Sequence, residues 1–419
     1  MQVVSKRNLR KEAPFFVHYL LLKLIMAKPL VKHFINLTLL LVVAFLIRHL
    51  STIIFDTYSH PVVLFITSLA VLGVGAFYIL RNSAEIIEET TEILSEKTKI
   101  AGGLLQSLGT AFPDMILGVT AAVVSLGLQK TDMTRAINYA VIAASTTFGS
   151  NIYNVGHAAW CIFRQNLANT KQKTVLMFPL LNKVGLLSPM KDHRKKPLLE
   201  EIDTANNILV ALTLLTLFVA VVMVIFGKVA NPPSGTQEDL YQLIKPAGVF
   251  ILIASVTTLY LFRKSKRAVG GEEIVEEEEN YYRHHKMIII WISLIVSGIS
   301  ILFAAESMVK AIEIICQVTG MPFVIAGVMA GVIGCLGEIL VVHNFSVNPN
   351  GRIGDAIVGV AMDNIVTICG ASIVAIMGGI FLGGSSLILI FVIILALNTI
   401  LIWQISNLKN FFIEVKTNS

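Results

Sequence analysis

Apolar residues run through this chain in long uninterrupted stretches separated by short polar connections. A stretch of 18 or more apolar residues is long enough to cross a bilayer as a helix. The pattern predicts ten spans, at 34–55, 61–90, 101–127, 136–163, 205–227, 243–263, 286–316, 321–347, 353–379 and 385–404. Residues 13–27 are apolar but short and broken by Lys23, so they read as an interfacial amphipathic helix. The expected fold is an all-α polytopic membrane protein of about ten transmembrane helices.

Composition agrees. Of 419 residues, 55% are hydrophobic and 14% charged, with mean hydropathy +0.75, far too little charge to cover a soluble domain of this length. The net charge of +6 does not point to nucleic acid, because the basic residues sit in short loops where they set orientation. Residues 1–33 carry seven Lys or Arg, and loop 164–204 carries eight. Arg263, Lys264, Lys266 and Arg267 open the next loop on the same side, while 228–242 and 380–385 are nearly free of bases. Both termini are therefore expected in the cytoplasm, with the plasma membrane as the site of residence. The first span, with Arg48 inside it, reads as a retained signal-anchor. The expected organisation is a basic segment 1–33, an extra helix 34–57, a first half 58–263, an acidic cytoplasmic linker 264–285 and a second half 286–419. Cys161, Cys316, Cys335 and Cys369 have neither metal spacing nor a disulfide framework and read as small core residues.

Residues 82–114 align with 306–338: Ser83 meets Ser307, Gly103 meets Gly327 and Asp114 meets Glu338. The acids lie an odd number of spans apart, so the two halves are expected to be inverted repeats, an arrangement that puts a binding site at mid-membrane. Depth points the same way, since Asp114, Asn151, Glu338 and Asn364 all fall near the centres of their spans. A carboxylate there costs about 2.5–3.5 kcal/mol on insertion scales, which argues for function.

Two motifs carry the chemistry of the first half. In Gly109-Thr110-Ala111-Phe112-Pro113-Asp114, Thr110 and Asp114 share a helix face and Pro113 frees a carbonyl one turn back. In Gly149-Ser150-Asn151-Ile152-Tyr153-Asn154, Ser150 and Asn154 again share a face. Together they offer a carboxylate, hydroxyls, amides and carbonyls, an all-oxygen set suited to Ca2+ or Na+.

This pair of motifs resembles the first α-repeat of the sodium/calcium exchanger family, within the cation/calcium antiporter superfamily, where the pattern is Gly-Thr-Ser-x-Pro-Glu followed by Gly-Ser-Asn-Ile-Phe-Asn. The resemblance covers about 61–163 and 286–381. It implies that Asp114 binds Ca2+ and Na+, with Thr110, Ser150 and Asn154 as further ligands and Ser107 offering its carbonyl. The second half departs from the pattern, reading Gly334-Cys335-Leu336-Gly337-Glu338 and then Met362-Asp363-Asn364-Ile365-Val366-Thr367. The acid Glu338 is kept, Asp363 replaces a usual Ser, and Thr367 stands where the family has Asn or Asp. Gly before the acid, and Asp in the first motif, are similar to the mitochondrial-type and plant branch. The expected metal-binding set is thus Asp114, Glu338, Asp363, Thr110, Ser150, Asn151, Asn154, Asn364, Thr367 and Ser107.

Three further residues invite a role. Arg81 is expected either to snorkel or to neutralise Asp363, Glu306 and Lys310 to pair at i, i+4, and His157 to be a core histidine. The resemblance implies no enzyme and no cofactor, but Ca2+ transport against Na+ or H+. The same fold leaves K+-dependent and Mg2+ exchange open, and a cation channel is the more distant alternative.

Overall fold

The computed structural model describes residues 29–98, 102–179, 181–190, 197, 199–236, 238–269, 281–347 and 353–417, so the segment 13–27 lies outside the described residues. Helices α1 (Pro29–Thr57), α2 (Pro61–Val74) and α3 (Arg81–Thr98) come first, with a π-helical turn, Gly75–Leu80, fusing α2 to α3. Then follow α4 (Gly102–Leu128), α5 (Met133–Lys171), β1 (Val175–Phe178), β2 (Leu181–Leu187), α6 (Leu199–Phe226), β3 (Leu240–Gln242) and α7 (Lys245–Val269). The remainder is α8 (Met287–Thr319), α9 (Phe323–Gly334), α10 (Leu336–Val347), α11 (Ile353–Met377), β4 (Phe381–Gly383) and α12 (Gly384–Thr417).

With α2–α3 and α9–α10 each counted as one passage, ten helical passages match the ten hydropathy spans in order. Among the described residues, seven helices are individually long and apolar enough to cross a bilayer, and α9–α10 qualifies as a pair bent by 55°. Large apolar side chains such as Ile66, Phe77, Leu214, Ile225 and Trp403 point outward, as a lipid-facing surface requires. The chain is an integral multi-pass membrane protein.

Three apolar clusters are buried among the described residues, the smallest formed by Ile93, Leu94, Tyr282 and Ile290. Another joins α1, α2 and α8 through Leu40, Ala44, Val71, Ile79, Ile301 and Met308, extending to Ile116 and Leu117 of α4. The largest core runs through α4, α5, α6, α9, α11 and α12. Close helix packing here uses glycine. A Cβ at Gly331 would lie 2.7 Å from Ser150 N and 2.8 Å from Thr146 O, and one at Gly149 would lie 2.8 Å from Val328 Cα. So α9 lies against α5 backbone to backbone.

Local signals set the ends. Asp132 caps α5 by accepting from Arg135 N at 3.0 Å. At the opposite end α5 runs to Lys171, past the predicted span, and the region 164–204 is not a plain loop. Strands β1 and β2 form an antiparallel hairpin there. Its backbone is held by α5: Trp160 Nε1 donates to Met177 O at 3.1 Å and Gln165 Nε2 to Ser188 O at 2.9 Å. On the other face β3 pairs with β4, tying 240–242 to 381–383. Tyr282 is buried just before α8. Burial pushes its phenol well above the usual range, so it remains a donor, 3.1 Å from His33 Nε2.

Two expectations change. Lys310 and Glu306 do not pair with each other. Glu306 takes both nitrogens of Arg48 (2.6 and 3.2 Å), and Lys310 reaches Asp56 at 2.9 Å, so α1 is fastened to α8 along its length. Arg81 points away from the core, its side chain 63% exposed and 3.3 Å from Glu85, and so does not neutralise Asp363. Helix α4 continues through Pro113, and the passage α9–α10 of the second half bends between Gly334 and Leu336.

Candidate functional site

The break between α9 and α10 shapes the centre of the molecule. Gly334, Cys335 and Gly337 surround it, and Cys335 N still closes on Gly331 O at 3.1 Å. The new helix start places Glu338 in the first turn of α10. A helix N-terminus favours an ionised carboxylate by about 0.3–1 kcal/mol, more when partly buried. Glu338 is buried, and its Oε2 accepts a hydrogen bond from Asn154 Nδ2 of α5. That contact joins the second motif of the first half to the acid of the second half.

Buried amide groups on α5 and α11 lack partners. Asn151 is buried with neither amide atom hydrogen-bonded, and Asn154 Oδ1 and Asn364 Oδ1 likewise lack partners. Each such group costs about 1–3 kcal/mol while unsatisfied, so the cluster is built to be completed by something else. The hydroxyls are already tied to helix backbone as donors: Ser150 Oγ to Thr147 O at 2.8 Å and Thr367 Oγ1 to Asp363 O at 3.0 Å. The Ser150 hydroxyl, donating in this way, keeps lone pairs that can accept or bind a cation. Asn364 Nδ2 is held by Val360 O at 2.8 Å, which orients its oxygen. Asp363 and Thr367 are buried on the same helix, α11.

Ser107, Thr110 and Asp114 lie on α4, with side chains outside those described. The backbone of α4 is held against two site helices. Gly118 faces the Thr147 side chain of α5, and a Cβ at Gly370 of α11 would lie 2.6 Å from Met115 Cγ. Residue 114 thus neighbours a contact with the helix that carries Asp363, Asn364 and Thr367.

On the side of the basic loops, one turn past Asn154, His157 stacks on His343, ring centroids 5.8 Å apart. Phe178 of the hairpin stacks on both rings, at 6.5 and 6.1 Å. His157 Nε2 is 3.5 Å from Cys161 Sγ. The expectation of a core histidine described its packing but not its partner, because the alignment of α5 with α10 follows from the break at Cys335. On the opposite side, Glu313 of α8 is buried and accepts from Arg135 through both carboxylate oxygens, from Tyr139, and from Gln317 at 3.1 Å. Sequence reading did not single out this cluster. Arg135 begins a span and Glu313 ends one, positions where snorkelling is the ordinary reading.

No protein-family model matches the chain, and no curated protein matches it. Solved structures do. The H+/Ca2+ exchanger CAX aligns with TM-score 0.51 at 12% identity, over 91% of this chain and 98% of its own. YfkE aligns with TM-score 0.47 at 13% identity, over 90% and 97%. A structure of the sodium-calcium exchanger NCX_Mj soaked with Na+ and Sr2+ aligns with TM-score 0.43 at 15% identity, over 85% and 99%. The likeness to CAX extends over nearly the whole of both chains and establishes the fold.

Proposed function

We propose that the chain is a secondary-active antiporter that carries Ca2+ against a monovalent cation by alternating access at the buried site between α4, α5, α10 and α11. The observation that carries this reading is the bond from Asn154 to Glu338, which joins the motifs of the two halves; Asn151, Asn154 and Asn364 add buried amide oxygens without partners. The ligand set is Asp114, Glu338, Asp363, Asn151, Asn154, Asn364, Ser150, Thr110 and Thr367, with the Ser107 carbonyl. In this reading residues 58–263 and 286–419 are inverted halves, and the termini face the cytoplasm of a cell whose plasma membrane holds the protein.

Electrostatics explains why such a site exchanges rather than leaks. A site with three acidic side chains is costly to reorient while no cation neutralises it, since moving net charge into a low-dielectric barrier is prohibitive. Reorientation requires a filled site: one Ca2+, or several monovalent cations. The oxygen ligands are hard and suit Ca2+ or Na+. Na+ is the counter-ion that the hydroxyl and amide oxygens of the first half favour. H+ is the second reading, favoured by the His157–His343 pair one turn from the site.

Uptake of 45Ca2+ into proteoliposomes tests the assignment. Wild type should accumulate Ca2+ under an imposed Na+ or pH gradient, and Asp114→Asn and Glu338→Gln should abolish it. Normal transport by both variants would show that the site is elsewhere.

A further inference from the structure

Residues 175–187 are too few to cross a bilayer and fold back as the hairpin β1–β2, built on one helix and resting on another. Its root is bonded to the last turns of α5, which run past the predicted span. Trp160 Nε1 donates to Met177 O at 3.1 Å, Arg164 Nε to Leu176 O at 2.9 Å and Gln165 Nε2 to Ser188 O at 2.9 Å, and Asn169 Oδ1 accepts from Met190 N at 2.8 Å. Met177, Leu187 and Met190 are fully buried in the largest core. The other edge of the hairpin lies on α10 through rings and methyls. Phe178 stacks on His343, 6.1 Å between centroids and 10° between planes. It also stacks on His157 of α5 at 6.5 Å, and so bridges the two helices. A Cβ at Gly185 would run into the Val347 side chain, so β2 touches the last residue of α10.

Helix α10 is placed to turn. It is a 12-residue rod, about 18 Å long at 1.5 Å per residue, that begins at a 55° bend. Before the bend, α9 is pinned backbone to backbone on α5 at Gly331 and Gly149. Beside the bend there is room, because a Cβ at Gly337 would have nothing within 4 Å. Glu338 sits in the first turn of the rod and is bonded by Asn154. His343 and Val347 lie five and nine residues further on, about 7.5 and 13.5 Å along the axis. The hairpin therefore grips the long end of a lever whose short end carries the buried acid.

From this placement we propose that the β1–β2 hairpin is a strap that holds α10 against α5 and keeps the candidate ion site closed toward the face of the basic loops. The inference rests on the antiporter reading and names the gate on one side of its site. Hydrogen bonds are directional, so the strap stays with α5, whereas stacked rings and methyls can part without leaving a buried polar group unpaired. When the far end of α10 moves from α5, a path opens between the two helices to Asn154 and Glu338, and the strap sets how often that happens. Cys335 reports the opening, because its side chain lies at the bend and is fully buried in the closed form.

The test uses the full chain with Cys335 as its only cysteine, Cys161, Cys316 and Cys369 being replaced by Ala, in vesicles of known orientation. Phe178→Ala and Val347→Ala loosen the strap from α10, and Leu186→Ala, 54% exposed on the same hairpin, is the control. Two quantities are read: the rate at which a charged, impermeant thiol reagent modifies Cys335 from the face of the basic loops, and the half-saturating Ca2+ for 45Ca2+/Ca2+ exchange on that face. Raising a minor open population by some factor raises the labelling rate and lowers half-saturating Ca2+ by the same factor. The expected result is a shift of about threefold or more in both quantities for each strap variant, and none for Leu186→Ala. Wild-type labelling rates in both strap variants overturn the inference. So does faster labelling with unchanged half-saturation, which marks the hairpin as packing alone, and so does an equal response of Leu186→Ala. The antiporter reading fails separately, and takes the gate with it, when wild type shows no Ca2+/Ca2+ exchange that Glu338→Gln removes, whatever the labelling of Cys335.

Discussion

At the residue scale, the candidate site turns on small polar side chains whose burial would be costly without a ligand. Asn154 serves Glu338 through its amide nitrogen and leaves its oxygen unpartnered. Replacing it with Leu should therefore do two things at once. It strips a donor from a buried carboxylate and removes one candidate oxygen ligand, so Ca2+ flux should fall at least about tenfold, and the protein should lose about 1–3 kcal/mol of stability. Flux in proteoliposomes and thermal melting in detergent read the two effects separately. Gly331 tests the frame around the site. A methyl there meets Ser150 N and Thr146 O at 2.7 and 2.8 Å, backbone atoms that cannot swing aside. Gly331→Ala should cost about 1–3 kcal/mol and reduce transport by pushing α9 from α5, whereas Gly73→Ala, with nothing within 4 Å, should do neither. Span centres singled out Asp114, Asn151, Glu338 and Asn364 before any coordinates, and the structure buries Asn151, Glu338 and Asn364. Where Arg81 points was not legible in the sequence. The π turn Gly75–Leu80 adds a residue to one turn, which rotates everything after it relative to a 3.6-residue period.

At the element scale, the long-range partners of α1 explain a second misreading. Glu306 and Lys310 are spaced as an intrahelical pair, and sequence alone offers no competitor. The structure supplies better ones, since α1 runs along α8 and brings Arg48 and Asp56 to the same two positions. Arg48 and Glu306 are 41% and 47% exposed, and both fall inside predicted spans, where a lone charge is expensive. Arg48→Ala or Glu306→Ala should each lower stability more than the double variant does, because each single change strands a charge of about 2.5–3.5 kcal/mol insertion cost. Equal or additive losses on thermal melting in lipid nanodiscs would mean that the pair is uncoupled. The β-hairpin was hidden for a different reason. Its residues 175–187 are apolar but too few to span, and the basic residues on either side gave the whole region the character of a loop. What makes it a hairpin is tertiary: Arg164, Trp160 and Gln165 of α5 supply donors to backbone carbonyls that water would otherwise satisfy.

At the scale of the whole molecule, hydropathy is a one-dimensional signal, and it gave ten expected spans; among the described residues seven helices are long and apolar enough to cross a bilayer and the bent α9–α10 pair qualifies together. Sidedness came from charge, and contacts between distant loops agree with it. Residues 240–242 pair with 381–383, and Thr134 bonds Ser234 O at 3.0 Å, all on the face poor in bases. Asn166 reaches Gln404 at 2.9 Å, and Lys97 reaches His285 O at 2.9 Å, on the basic face. An even number of passages must separate each pair, and the ten-passage count satisfies all four. The absolute orientation can be read by thiol labelling. Three native cysteines are buried and Cys369 is only partly exposed, so background reaction with a charged maleimide should be low. Glu238 and Gln172 are exposed and lie on opposite faces. In intact cells Glu238→Cys should react at once, and Gln172→Cys should react only after permeabilisation. The reverse pattern would invert the protein in its membrane. Labelling of both positions from one side would break the count itself and remove the inverted relation between the halves on which the shared site depends.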